Sequence, residues 1–257
     1  MFQVDAFTTR VFRGNPAAVV LLDGFLDDAT LQAVAAEHNL SETAFLVPTA
    51  SGYDLRWFTP VLEVPLCGHA TLASAAVVLE RLEPERSEVE FATASGPLTV
   101  RRAPGGYAMD LPARPCERVT APDGLSEALG APLVEVHANA FNLLALLASA
   151  DSVRAVAPDQ AALARIDTLG VIVTAAGEPP HDIVSRYFAP RKGIAEDPVT
   201  GGAHCMLTPF WAARLGKDEL RAWQASPRGG ELVCRVRGDR VELEGACAFY
   251  LEGTIAL

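Results

Sequence analysis

Two glycine sites stand at the starts of apolar, helix-like stretches: Gly68, ahead of His69-Ala70-Thr71-Leu72-Ala73, and Gly201-Gly202, ahead of Ala203-His204-Cys205-Met206. The first amides of a helix lack partners within it and carry partial positive charge, so a helix start opened by glycine holds an anion at close range. A single glycine of this kind serves equally well to turn the chain tightly into a core helix. Two such starts facing one cleft would grip a small carboxylate from both sides. Few proton-transfer groups accompany them. Glu42 suits a general base if partly buried, and is otherwise an exposed glutamate in a turn. Asp197 serves as a second acid or orients a substrate, or is the turn-forming half of Asp-Pro. His69 donates a hydrogen bond or a proton, or is a helix-start histidine satisfied by local backbone. Cys67 is a thiolate made acidic by the helix end, or a small buried hydrophobe.

Other chemistries lack their residues. The chain has no GxSxG elbow, no GxxxxGK[ST] phosphate loop, no GxGxxG fingerprint and no HExxH helix. His69 with Cys67, and His204 with Cys205, are spaced by two and one, which suits no common metal site. Neither a metal nor a cofactor is expected. The net charge of −11 over 257 residues sets up a field that repels a phosphate backbone, which argues against nucleic acid. Half the residues are hydrophobic and 21% charged, so the chain folds into a compact body. The N-terminus lacks an apolar block, and no apolar run approaches the roughly 18 residues of a membrane span. A cytoplasmic protein without membrane contact is the expectation. Five scattered cysteines suggest neither a disulfide framework nor a thiolate zinc site.

The elements that must position these residues follow from pattern. Strands are predicted over 2–6, 17–22, 44–48 and 54–58, with the turn Arg13-Gly14-Asn15-Pro16 between the first two. A helix capped by Asp27 or Asp28 runs to about Asn39, leaving Glu42 just past its end. The helix from Gly68 through Leu79 is apolar on almost every face and must be buried all round. Further strands fall at 88–92, 98–102, 107–111 and 169–174, with apolar runs at 133–136 and 142–147. A helix is expected near 151–165 and another over 203–215, kinked at Pro209. Prolines 112, 115 and 122 mark a boundary between lobes 1–115 and 116–257, the last ten or so residues packing back on the first. Arg56-Trp57-Phe58-Thr59-Pro60 and Glu63-Val64-Pro65-Leu66-Cys67-Gly68 reappear about half a chain later as Arg186-Tyr187-Phe188-Ala189-Pro190 and Glu196-Asp197-Pro198-Val199-Thr200-Gly201. The shared order of strand, ExPxxG and buried helix points to a duplication.

Phe7 through Val20 with Gly14-Asn15-Pro16, Asn39-Leu40-Ser41-Glu42-Thr43-Ala44-Phe45, the Arg56 and Leu66-Cys67-Gly68-His69-Ala70-Thr71 segments and Glu196 to Gly201 together resemble the PhzF-type phenazine-biosynthesis proteins, along nearly the whole chain. The resemblance implies an α+β, diaminopimelate epimerase-like fold: two pseudo-symmetric lobes, each a curved, mostly antiparallel sheet or barrel around a central helix, with the active site between them. It implies a cofactor-independent isomerase similar to trans-2,3-dihydro-3-hydroxyanthranilate isomerase, in which Glu42 is acid and base, Asp197 and His69 assist, and Ser41, Gly68, Thr200, Gly201 and Gly202 bind a small anionic carboxylate. A homodimer is similar to what the family shows. Two departures bear on this. The family often has serine where Gly202 stands, and the epimerase relatives carry paired cysteines where this chain has Cys67 and Thr200. The alternatives are a non-catalytic carboxylate-binding protein and a one-thiol racemase or dehydratase using Cys67.

Overall fold

The computed structural model describes residues 1–256; Leu257, the end of the expected second lobe, lies outside the described residues. In chain order the elements are β1 (Phe2–Ala6), β2 (Asn15–Leu21), α1 (Asp28–His38), β3 (Glu42–Pro48), β4 (Tyr53–Phe58), β5 (Glu63–Val64), α2 (Gly68–Val77), β6 (Glu88–Ala92), β7 (Leu98–Ala103) and β8 (Gly106–Pro112). There follow β9 (Glu117–Val119), α3 (Leu125–Leu129), β10 (Glu135–Ala138), β11 (Asn142–Leu146), α4 (Ala150–Ala155), α5 (Gln160–Leu163), β12 (Gly170–Ala176) and β13 (Ile183–Ala189). The chain closes with β14 (Ile194–Asp197), α6 (Gly201–Leu215), β15 (Glu219–Gln224), β16 (Gly230–Arg237), β17 (Arg240–Gly245) and β18 (Cys247–Glu252). Two compact units form: Met1–Leu111 with the chain from Glu242 onward, and Pro112–Val241.

Each unit is a mostly antiparallel α+β structure, and the strand pairings repeat. In the first, β1–β2, β3–β4 and β6–β7 are antiparallel, with parallel pairs at β2–β3 and β4–β6. In the second, β10–β11, β12–β13 and β15–β16 are antiparallel, with parallel pairs at β11–β12 and β13–β15. The parallel pairs thus fall at matching steps of the two halves, as the duplicated motifs require. In the first unit the helix expected to be buried all round is α2, in which every residue from His69 to Val77 is buried, with the Thr71 and Ser74 hydroxyls donating to the Cys67 and Ala70 carbonyls. Its counterpart α6 buries most of its length and continues through Pro209.

Local chemistry sets the boundaries. Asp27 caps α1 by accepting the Thr30 amide at 3.0 Å, and Asn39 ends it in the left-handed region. The single helix expected near 151–165 is instead α4 and α5. Pro158 has no amide to donate, Val156 turns extended ahead of it, and Asp159 starts α5 by accepting the Ala162 amide. Past α2 the chain widens into one π-helical turn, Val78–Leu82, closed by the Glu83 amide on the Val78 carbonyl. β3 begins two residues before the predicted strand, and Glu42 is therefore its first residue and only 9% exposed. The reading of Glu42 as an exposed turn residue falls with that register.

Candidate active site

The repeated Arg-x-Phe and Glu-x-Pro-x-x-Gly motifs meet within each unit. In the first, Arg56 on β4 grips Glu63 on β5 with two parallel bonds, Nε to Oε1 and Nη2 to Oε2, both 2.8 Å. In the second, Arg186 on β13 grips Glu196 on β14 the same way, at 2.7 and 2.8 Å, and its third nitrogen donates to the Val156 carbonyl at 2.6 Å. Each guanidinium also lies about 5 Å from the ring of the motif's own phenylalanine, Phe58 or Phe188. These clamps fix the strand just before the loop that delivers the chain into α2 or α6. Neither helix start has a side-chain cap, so its first amides depend on other partners.

In the first unit three chain entries converge at the start of α2. Glu42 opens β3, His69 is the second residue of α2, and Asn15 opens β2, whose neighbour Ala17 lies opposite Glu42 in the parallel pair. Gly14 makes that approach possible. It has φ +61°, and a Cβ there would fall 2.1 Å from the Ala6 carbonyl oxygen. His69 Nε2 lies 3.1 Å from Glu42 Oε2, while Nδ1 lies 3.1 Å from Asn15 Nδ2 and 3.5 Å from Cys67 Sγ. The Glu42–His69 contact is a close charge pair and not an aligned hydrogen bond: both atoms are buried and neither has a hydrogen-bond partner. His69 is thus held by side chains, and not by local backbone.

Burial would pull the His69 imidazole down, but Cys67 and Glu42 outweigh it and hold it well above its ordinary value. The Cys67 thiol is pushed up to about 11 by burial and by Glu42, against the opposing pull of His69 and the Ala70 amide. This corrects the expectation of a thiolate made acidic by the helix end. The sulfur therefore keeps its proton at neutral pH. Oxygen, sulfur and nitrogen of Glu42, Cys67 and His69 lie within 4.8 Å of one another. A buried carboxylate, thiol and imidazole gathered this closely can pass a proton among them and to a substrate. Ser41 is half-buried in the bend before β3, and Gly68 is the first residue of α2.

A second group forms within the second unit. The Thr200 hydroxyl donates to Asp197 Oδ2, the Thr200 amide donates to Gln224 Oε1 at 2.8 Å, and Gln224 Nε2 donates to the Asp197 carbonyl at 2.8 Å. Gly201 and Gly202 follow as the first turn of α6. His204, one turn on, lies 2.8 Å from the Thr200 carbonyl through Nδ1 and is pushed down to about 4 by burial, so it is neutral at pH 7. Asn15 lies in the Gly14-Asn15-Pro16 segment, read in the sequence as a turn with no site role, and Gln224 carries no motif of its own. Only their neighbours, Gly14-Pro16 and the ends of β13 and β15, mark the places where they converge.

The family model for phenazine biosynthesis-like proteins, PhzC-PhzF, matches residues 4–253. The chain belongs to the PhzC-PhzF family. It is 50% identical over 257 residues to a Pseudomonas aeruginosa protein named as an uncharacterized isomerase, covering 100% of this chain and 98% of the relative. A crystal structure of a PhzF-family phenazine biosynthesis protein from Enterococcus faecalis superposes with a TM-score of 0.96 at 42% identity, over 100% of this chain and 98% of that one. The structure of a probable proline racemase from Agrobacterium radiobacter shares the fold alone, with a TM-score of 0.66 at 12% identity over 100% and 92% of the two chains. No helix among the described residues is long and apolar enough to cross a membrane.

Within this PhzC-PhzF chain, Gly202 is the second residue of α6. A Cβ built there meets no heavy atom within 4 Å, so the structure has room for a side chain. Gly202→Ser is expected to leave stability unchanged or raise it by up to about 0.5 kcal/mol, since serine orders more readily than glycine in a helix. Chemical denaturation checks this, and a loss of about 1 kcal/mol or more contradicts it.

Proposed function

We propose that the chain is an isomerase that moves a proton between two carbons of a small carboxylate substrate, with Glu42 as both acid and base. Family membership, and a relative at half identity named as an isomerase, make it an enzyme of isomerase type. The assignment to Glu42 is carried by one observation: a buried carboxylate oxygen faces a buried imidazole nitrogen at 3.1 Å, and neither has a hydrogen-bond partner. Buried polar atoms in that condition are costly and call for a functional explanation.

In this reading the Glu42 carboxylate takes a proton from an allylic or α carbon of the substrate, next to the unsaturation that is conjugated with its carboxylate. The electron pair left behind shifts the double bond, and the Glu42 carboxyl returns the proton to the distal carbon, so nothing is oxidised or reduced. The charge that builds on the substrate carboxylate is met by the uncapped first amides of α2 at Gly68 and His69. His69 accompanies Glu42 through the change of charge. Asp197 enters as a second acid, and Ser41, Thr200, Gly201 and Gly202 as binding contacts, on the strength of their motif positions.

The test mixes wild type and Glu42→Gln with trans-2,3-dihydro-3-hydroxyanthranilate and follows the ultraviolet spectrum. Glutamate-dependent conversion supports both reaction and base; equal conversion by the two proteins overturns the role of Glu42. The one-thiol reading is disfavoured by the protonated state of Cys67. Accordingly Cys67→Ser is expected to keep activity within about 10-fold of wild type, well short of the loss typical of a missing acid or base. An inactive Cys67→Ser beside an active Glu42→Gln would reverse the assignment.

A further inference from the structure

A buried imidazole that takes and gives protons needs a suitable partner on its second nitrogen in each state. Nε2 of His69 faces Glu42, which as a carboxylate only accepts. Nδ1 faces the Asn15 amide at 3.1 Å, with the Cys67 sulfur further off at 3.5 Å. When His69 is neutral and Nε2 carries the proton, Nδ1 is a bare lone pair and needs an N–H. When His69 is an imidazolium, Nδ1 carries a proton and needs an oxygen. A primary amide meets both needs, because a half-turn about its last bond exchanges nitrogen for oxygen. Asn15 is fully buried and its backbone is held by Gly14, Pro16 and pairing with Ala6 on β1, so an exchange of nitrogen for oxygen at His69 is a turn of the side-chain amide within a fixed strand.

We propose that Asn15 is a positioning residue that follows the charge of His69, presenting its amide N–H to the neutral ring and its oxygen to the imidazolium. The proposal rests on the reading of His69 as the companion of Glu42 in proton transfer. Among the described residues, Glu42 on β3 and Cys67 at the helix cap are the titratable groups in contact with the ring. On other strands packed against α2, Asp5 on β1 accepts the Phe12 amide, Arg102 on β7 donates to the Leu79 carbonyl, and Cys247 on β18 donates to the Leu72 carbonyl. An Nδ1–H left without an acceptor in this buried place would disfavour the imidazolium and hold the ring in one state.

The experiment is nitrogen-15 NMR of histidine-labelled wild type, Asn15→Asp and Asn15→Leu across pH, with no substrate present. The neutral ring of wild type should be the Nε2–H tautomer. Asn15→Asp, which only accepts, should raise the His69 titration by about one unit or more, and Asn15→Leu should lower it by a similar amount. Turnover in Asn15→Leu should fall about 10-fold in kcat with KM little changed. A neutral ring protonated on Nδ1, shifts of both variants in the same direction, or titrations within about 0.3 unit of wild type would overturn the proposal. Asn15→Asp is nearly isosteric, so the upward arm stands even if Asn15→Leu does not fold. Because the titration needs no substrate, an active Glu42→Gln would remove the functional reading and leave the Asn15 test intact.

Discussion

Glu42→Gln lowers turnover by about 10²- to 10⁴-fold while the protein stays folded and binds substrate. Glutamine keeps the shape of the side chain and one acceptor oxygen but neither takes nor returns a proton. The backbone of Glu42 at the start of β3 is untouched, so the strand and its parallel pairing with β2 persist. The same change removes the negative charge beside His69, and the imidazole then titrates lower, because burial is no longer opposed by that carboxylate. Steady-state kinetics and circular dichroism on the variant check both halves of the expectation. Turnover within about twofold of wild type would assign the chemistry elsewhere.

Arg186→Met is expected to cost about 3–5 kcal/mol of stability. The guanidinium is buried, grips Glu196 bidentately and donates to the Val156 carbonyl, so truncation leaves a carboxylate and a carbonyl in the interior without their donor. Arg56→Met should cost much less, because Arg56 and Glu63 are more exposed, at 25% and 39%. The double variant Arg186→Met with Glu196→Gln should recover a large part of the loss, since no buried charge is then stranded. Urea unfolding of the four proteins measures this. A loss below about 1 kcal/mol for Arg186→Met would show that the clamp has little energetic weight.

How much of this was legible in the sequence depended on how each signal arises. The buried character of α2 was plain because Ala70 through Leu79 leave no polar face. The duplication was legible because the clamp needs the same arginine, phenylalanine and glutamate in both halves, although the partnership of Arg56 with Glu63 is a tertiary fact. Glu42 was placed two residues outside its strand because an acid after a helix reads as a turn, while parallel pairing with β2 draws it into β3. The helix near 151–165 was overextended by its alanines, and Pro158 overrode them. Asn15 was hidden by its neighbours: between glycine and proline an asparagine reads as turn chemistry, and its partner His69 is 54 residues away. The choice between the two readings of Cys67, acidic thiolate or small buried hydrophobe, turns on desolvation, a tertiary quantity, and burial decides for the second. Strands β15 to β18 gave no sequence prediction, and the second unit's Gln224 went unread with them.

The central claim is that Glu42 exchanges a carbon-bound proton of the substrate. The most direct measurement is deuterium uptake from heavy water into trans-2,3-dihydro-3-hydroxyanthranilate and a panel of small unsaturated carboxylates, read by mass spectrometry with wild type and Glu42→Gln in parallel. The account predicts at least one compound that gains a single deuterium at carbon with wild type and none with Glu42→Gln. Uptake at an equal rate with both proteins would contradict it, and so would binding of a carboxylate by wild type with no exchange in any compound of the panel.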